Sequence, residues 1–446
     1  MIELLSEKVI TALMLGGVLV LVMTGFPIAF VIASVALIMG TLLFGGEVTY
    51  HILYSRMYSM TLSYPFLAVP LFTFMGVILQ MTGIIDELYT VLYDSMSGFR
   101  GGLAIVTIIF GTILAACLGV ITASVSMLTM IALAPMVTRG YDKSIASGSV
   151  VAAGTLGILI PPSIMLVVYA PQAGLSIGQM FMGAFLPGLF LSACYCAYVG
   201  IRCYLNPKLG PAVPESQKSM LPFGAKMIRL LKALLPPLGI ILAVLGTIFM
   251  GIAPPTEAAA MGSLAAVLLA IAYRKMTWKV AKDAALETLR VSALVLLIAG
   301  ICYAYVGVFM SAGCGNVVFD LIMSVPGGKW GSFLAIMIIL FVLGMFIEWI
   351  GIVFIMVPIV SPIIVALGFD PLWAGMMICI NLQMAFQTPP MAMSIFVCKG
   401  TAPPKLGVTM EDIIKGVIPF IIIIGLSLII FSIFPQIITW LPSLMK

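Results

Sequence analysis

The sequence predicts an all-α polytopic membrane protein made of two inverted-topology repeats, each holding a re-entrant helical hairpin and a broken transmembrane helix. Three observations predict it. The first is composition: 63% of the 446 residues are hydrophobic, only 8% are charged, and the mean hydropathy is +1.25. Soluble domains are about half apolar and about a quarter charged. The second is a pair of interruptions. The apolar run Val150 to Ile160 stops at Pro161-Pro162, and a later one meets Pro389-Pro390. Proline lacks an amide donor and clashes with the preceding turn, so a helix reaching a double proline opens its backbone. At membrane depth, opened backbone survives only where protein buries it or where it lines a cavity. The third is self-similarity. A shift of 228 residues lays Gly140, Tyr141 and Asp142 on Gly368, Phe369 and Asp370, Pro161-Pro162 on Pro389-Pro390, and Pro27 on Pro255. Such a repeat decides the architecture. It divides the chain into residues 1–220 and 233–446, with 204–232 as a proline- and lysine-bearing linker.

In the first half, Val9 to Met23 and Ile28 to Phe44 read as two spans joined by a tight turn at Pro27. Residues 46–62 read as a polar-aromatic connection, Ser63 to Thr82 as a third span, and 86–102 as a loop. Residues 103–137 are apolar but interrupted at Gly119 to Ser126, which predicts a hairpin that enters and leaves on one side. The broken helix 144–171 and a span at 181–203 follow. The second half repeats the order: spans within 233–310, with a basic connection at 274–290, then a hairpin at 333–366 reversing near Glu348 to Gly351. A broken helix at 372–398 and a last span at 413–434 complete it.

Lysine and arginine accumulate on the cytoplasmic side of a membrane protein. With each hairpin returning to its own side, 17 of the 21 basic residues fall on one face, and only Lys8, Arg56, Lys329 and Lys446 on the other. Both termini are therefore expected outside. Gly140 then lies inside, between Arg139 and Lys143, while its counterpart Gly368 lies outside, which makes the repeats inverted. The net charge of +5 comes from short loops and forms no nucleic-acid patch. Eight cysteines sit almost all in apolar runs without a CxxC, as small apolar filler would. No cleavable signal peptide is evident.

No HExxH, GxSxG, P-loop or Gly-x-Gly-Asp occurs, and the single histidine, His51, sits in a connection, so the sequence offers no enzyme chemistry and no cofactor site. The hairpin turns and helix breaks offer freed carbonyls and hydroxyls for a sodium ion, and half-helix ends that aim amides at an anion. One sodium site would combine Thr122, Ser124 and Ser126 with Gly154 and Thr155. A second would combine Glu348 and Gly351 with Asn381, Gln387 and Thr388. The substrate would meet the breaks at Gly157, Pro161, Pro162, Ser163, Pro389 and Pro390. The competing account is that small and hydroxyl residues let helices pack closely. Glu348 is expected within the membrane, where charge is expensive; a local structural role at the turn is its alternative. Glu257 suits the positive end of a helix, and Trp278 and Trp330 suit interface anchors.

RGYDKSIASG with AAGTLGILIPPSIMLVVY, the stretch PPTEAAAMG, and LGFDPLWAG with NLQMAFQTPPMAMSIFV resemble the large membrane subunit of tripartite ATP-independent periplasmic (TRAP) transporters. The match covers essentially the whole chain. The resemblance implies an elevator-type importer of organic acids in the bacterial inner membrane, driven by a sodium gradient. It also implies a small four-helix membrane subunit, expected as a separate chain, and a periplasmic substrate-binding protein. The hairpins and broken helices would form the moving domain and the other spans the scaffold. Where many relatives have a Ser-Gly-Ser turn in the first hairpin, this chain has Thr122-Ala123-Ser124; alanine adopts positive φ less readily than glycine. A stand-alone ion-coupled organic anion exchanger needing no binding protein is the other transport reading. An intramembrane enzyme using Glu348 or Asp320 lacks a second acid at a suitable spacing.

Overall fold

The computed structural model describes residues 6–96, 98–212, 223–390 and 392–445, and every regular element among them is helical. Eight helical segments there are long and apolar enough to cross a bilayer, which makes the chain a multi-pass α-helical membrane protein. The first half runs α1 (Glu7–Met23), α2 (Ile28–Phe44), α3 (Gly46–Thr61), α4 (Ala68–Met81) and α5 (Asp86–Met96). The hairpin arms are α6 (Gly102–Leu118) and α7 (Ile121–Leu128); the latter passes through a π turn, Thr129–Leu133, into α8 (Ala134–Thr138). The broken helix is α9 (Lys143–Thr155) and α10 (Ile164–Gln172), followed by α11 (Ile177–Leu205). The second half runs α12 (Phe223–Phe249), α13 (Pro255–Ala272), α14 (Trp278–Ser311) and α15 (Cys314–Met323). Its hairpin is α16 (Gly328–Gly344) and α17 (Trp349–Ala366), and its broken helix is α18 (Pro371–Ala385) and α19 (Met393–Thr401). Two more helices, α20 (Met410–Ile433) and α21 (Gln436–Ser443), end the chain.

The two broken helices start by the same local device. Gly140 and Gly368 reverse the chain at φ 81° and 72°, in the left-handed region where only glycine is at ease. Two residues on, an aspartate caps the helix. Asp142 accepts from the amides of Ser144 and Ile145 at 3.0 and 3.1 Å, and Asp370 from the amide of Trp373 at 2.7 Å. Each cap satisfies donors that the first turn cannot. The 228-residue shift carries Ile121–Thr138 onto 349–366, the bounds of α17, and carries the start of α9 onto the start of α18.

Four polar stretches differ from the sequence expectation, and α15 and α21 occupy stretches to which it gave no element. The connection 46–62 is largely the helix α3, and the loop 86–102 contains α5. The basic connection 274–290 is helical from Trp278, because Thr277 accepts from the amide of Val280 at 3.2 Å and starts a 34-residue helix there. Of the linker 204–232, residues 223–232 already belong to α12; residues 213–222, with Lys218, and Lys446 lie outside the described residues. The common cause is that a polar stretch need not be irregular. Between Glu47 and Thr61 no glycine or proline breaks the backbone, and a helix there shows Tyr50, Tyr54 and Tyr58 stacked along one exposed face.

Helix α9 lies at the centre. Gly148 meets the Gly416 backbone on α20, and Gly416 in turn faces the Ser144 carbonyl, so no side chain fits between them. On its other sides α9 receives α6, where Gly111 faces the Ala153 Cβ, and α7. Residues 145–170, which include the whole first break, are all buried.

Candidate functional site: two helix breaks and two hairpin tips

The first hairpin tip is built around Gly119, at φ 62°. A Cβ there would stand 3.2 Å from the Pro162 carbonyl oxygen and 3.5 Å from the Ile164 nitrogen, so the missing side chain lets the tip press on the first break. Beyond it Val120 is extended and α7 begins without a side-chain cap. Ser124 on α7 is fully buried and its hydroxyl has no hydrogen-bond partner. Gly157, in the 3₁₀ turn that follows α9, would carry a Cβ 3.1 Å from that hydroxyl. Gly154 faces the Val125 backbone just as closely. Ser126 accepts from the Thr401 hydroxyl on α19 at 3.4 Å, and Thr122 is exposed.

Within the first break, the amides of Leu159 and Ile160 both turn to the Leu156 carbonyl at 2.9 Å. Ser163 donates its hydroxyl to the Ile158 carbonyl, and Pro161 and Pro162 are buried. The second break follows α18 and has a matching patch: Ser394 donates to the Phe386 carbonyl at 2.8 Å. Both Pro-Pro bonds, 161-162 and 389-390, are cis. Pro389 is half-buried and Pro390 exposed.

The two breaks touch. The Gln387 side-chain amide donates to the Thr155 hydroxyl at 2.7 Å, and that hydroxyl donates back to the Ala152 carbonyl at 2.9 Å. Both side chains are fully buried. Sequence reasoning had put Thr155 and Gln387 in different sites; the structure joins them. Beside them the Tyr195 hydroxyl on α11 lies against the Gln387 side chain, and both that hydroxyl and the Gln387 oxygen are buried without a satisfactory hydrogen bond. Buried polar atoms left unpaired are uncommon, because each costs about 1–3 kcal/mol.

Other expected members stand apart. Gly351 faces Ile28 and Ile347 and lines an apolar cavity of about 160 Å³, away from polar groups. Asn381 ties α18 to α16 by donating to the Met337 carbonyl at 2.8 Å, and the Thr388 hydroxyl bonds back to its own helix at Met384, 2.9 Å away. Glu348 is half-buried at the start of α17 and makes no capping bond. Three residues escaped sequence reasoning: Tyr195, Ser394 and Gln383, whose amide is fully buried with neither atom partnered. The repeat carried a signal for the last, since the 228-residue shift lays Thr155 on Gln383.

Two cavities flank the first hairpin tip. One, of about 260 Å³, lies where both tips meet the second break and the turn between α1 and α2; Thr122, Phe346, Glu348 and Phe386 are among its walls. The other, of about 670 Å³, separates the first hairpin from α4 and α14 and includes Gln80, Asp86, Ser126 and Glu287. Val120 and Thr122 line both. The uncapped starts of α7 and α17 bring amide donors and the positive ends of two helices toward the smaller cavity.

The family described as tripartite ATP-independent periplasmic transporter, DctM component, matches residues 15–437. The C4-dicarboxylate TRAP transporter large permease protein DctM of Vibrio cholerae is 30% identical over 86% of this chain and 86% of its own length. The sialic acid TRAP transporter permease protein SiaT of Haemophilus influenzae is 27% identical over 100% of this chain and 70% of its own. The ectoine TRAP transporter large permease protein TeaC of Halomonas elongata is 27% identical, over 97% and 99%. In fold, the chain resembles the crystal structure of the YdaH transporter of Alcanivorax borkumensis, with a TM-score of 0.65 at 12% identity over 89% of this chain and 90% of that one. The matched family spans both hairpins and both helix breaks, and this chain belongs to it, the DctM component of the tripartite ATP-independent periplasmic transporters.

Proposed function

We propose that this permease imports an organic acid, delivered by a periplasmic substrate-binding protein and driven by a sodium gradient, through an elevator movement of the hairpins and broken helices against the remaining spans. The observation that carries this reading is convergence: two hairpin tips and the second helix break face one 260 Å³ cavity, and the two breaks are bonded to each other through Gln387 and Thr155. Unwound backbone from both halves is thereby gathered at one place, as a midplane site between repeats requires. The matched helix bounds under the 228-residue shift support the two-repeat division, and the distribution of basic residues supports inverted halves with both termini periplasmic.

Sodium is held, in this reading, by hydroxyls and freed carbonyls. Ser124 is the first candidate, since its hydroxyl is buried and unused, with Thr122, Ser126, Gly154 and Thr155 around it. Gln387, hydrogen-bonded to Thr155, links this position to a second one at Thr388. The substrate carboxylate takes the amides at the open starts of α7 and α17. A small four-helix membrane subunit on a separate chain completes the transporter. The relatives named above as carriers of C4-dicarboxylate, sialic acid and ectoine point to organic acids as the cargo.

The test is uptake into proteoliposomes holding this chain, its small subunit and the cognate binding protein. Replacing external sodium by potassium abolishes uptake. Undiminished uptake without sodium contradicts the proposal, and uptake by this chain reconstituted alone would point instead to an exchanger that needs no binding protein.

A further inference from the structure

We propose that the transported acid is a zwitterion, carrying one carboxylate and one cationic nitrogen, and that Glu348 with the aromatic rings around it receives the nitrogen. The inference rests on the reading above, in which the cavity between the hairpin tips holds the substrate. Its walls contain a single charged side chain, Glu348, and four aromatic ones, Phe26, Phe346, Trp349 and Phe386. Among the described residues lining this cavity and the adjoining larger one, none is lysine, arginine or histidine; the larger one adds Asp86, with Lys275 nearby, and Glu287, paired with Arg290 at 3.4 Å, so Glu348 is the unpaired carboxylate of the two linings.

That inventory discriminates between kinds of organic acid. One carboxylate is provided for by the amides at the open starts of α7 and α17. A second carboxylate would face the Glu348 carboxylate and the negative faces of the rings, with no protein cation to offset either. An ammonium or amidinium group in its place meets a counter-ion and aromatic rings, the side chains whose faces attract cations. Glu348 is free to act this way because it makes no capping bond to its own helix. This takes Glu348 out of the expected sodium set. A sodium ion between Glu348 and a second carboxylate would meet the same electrostatic need, so the shared requirement is a cation at Glu348, and the test separates its two sources.

The test measures the thermal midpoint of the membrane complex, this chain with its small subunit in nanodiscs, in sodium and in potassium buffers. The probes are two zwitterions, γ-aminobutyrate and ectoine, and two dicarboxylates, succinate and glutarate. The expected result is a midpoint raised by the zwitterions and not by the dicarboxylates. Glu348→Gln weakens zwitterion binding at least tenfold and lets a dicarboxylate bind. Phe346→Leu, which leaves the carboxylate in place, weakens the zwitterions as well and reads the same point if Glu348→Gln fails to fold. A dicarboxylate that raises the midpoint of the unaltered complex as much as the zwitterions overturns the inference; if it does so only in sodium, the cation at Glu348 is the ion. Silence from all four probes, in a complex that still shows sodium-driven uptake with its binding protein, also overturns it. Sodium-independent uptake would instead overturn the functional reading beneath it.

Discussion

The two helix breaks share their local chemistry and differ in their surroundings. Each follows an aspartate-capped helix, each carries a double proline, and in each a serine hydroxyl takes up a freed carbonyl. Yet residues 145–170 of the first are buried throughout, whereas past Gln387 the second opens outward, with Met393 42% and Phe396 50% exposed. The hairpins follow suit: most of α6 is buried, while α16 presents Leu334 and Ile338 on its exposed side. Proline and glycine decide where the chain unwinds. What the unwound chain then faces is decided by packing, which here seals one copy inside α6, α7 and α20 and leaves the other at the edge.

If that contrast is right, the largest effect falls on the sealed break. Gly154→Val would drive side-chain atoms into the Val125 backbone and destabilise the protein by about 3 kcal/mol, whereas Met393→Ala at the open break stays within about 0.5 kcal/mol. Thermal unfolding of the two variants checks it, and equal losses would erase the distinction. Next comes the bond between the breaks. Thr155→Val and Gln387→Leu, singly and together, should show a coupling of about 1 kcal/mol in a double-mutant cycle; simple additivity would mean the breaks are neighbours without being partners.

The comparison sharpens further at the hydroxyls. Ser124→Ala removes a buried hydroxyl that bonds to nothing, so it leaves the unfolding midpoint nearly unchanged while raising the sodium concentration for half-maximal uptake several-fold. Thr388→Ala raises it less, because that hydroxyl is already engaged by Met384. Sodium titrations of uptake decide the order, and unchanged sodium dependence in both would return these residues to a packing role. The smallest effect lies away from both breaks. Thr409 and Asp412 form a reciprocal cap at the start of α20, and Thr409→Ala should cost about 1 kcal/mol of stability with no change in sodium dependence.

The backbone interruptions were legible in the sequence because they are written locally. Gly119 and the two double prolines each act within a few residues, whereas the capping role of Asp142 and Asp370 emerged only with the fold. Composition alone hides the polar helices α3 and α5, because a polar stretch with no breaker is free to be helical. The Gln387–Thr155 bond had no local signal at all, since it joins residues 232 positions apart. For the same reason sequence alone assigned Gly351 to a polar group, where the fold gives it Ile28 as a neighbour.

The claim on which the functional account rests is that both hairpin tips face one cavity, and cross-linking tests it most directly. With the native cysteines replaced, Thr122→Cys and Glu348→Cys should be joined by a short bifunctional thiol reagent in the folded membrane complex, since both positions line the same 260 Å³ space. Failure of the pair to cross-link in a folded complex, with each cysteine separately reactive, would contradict the account.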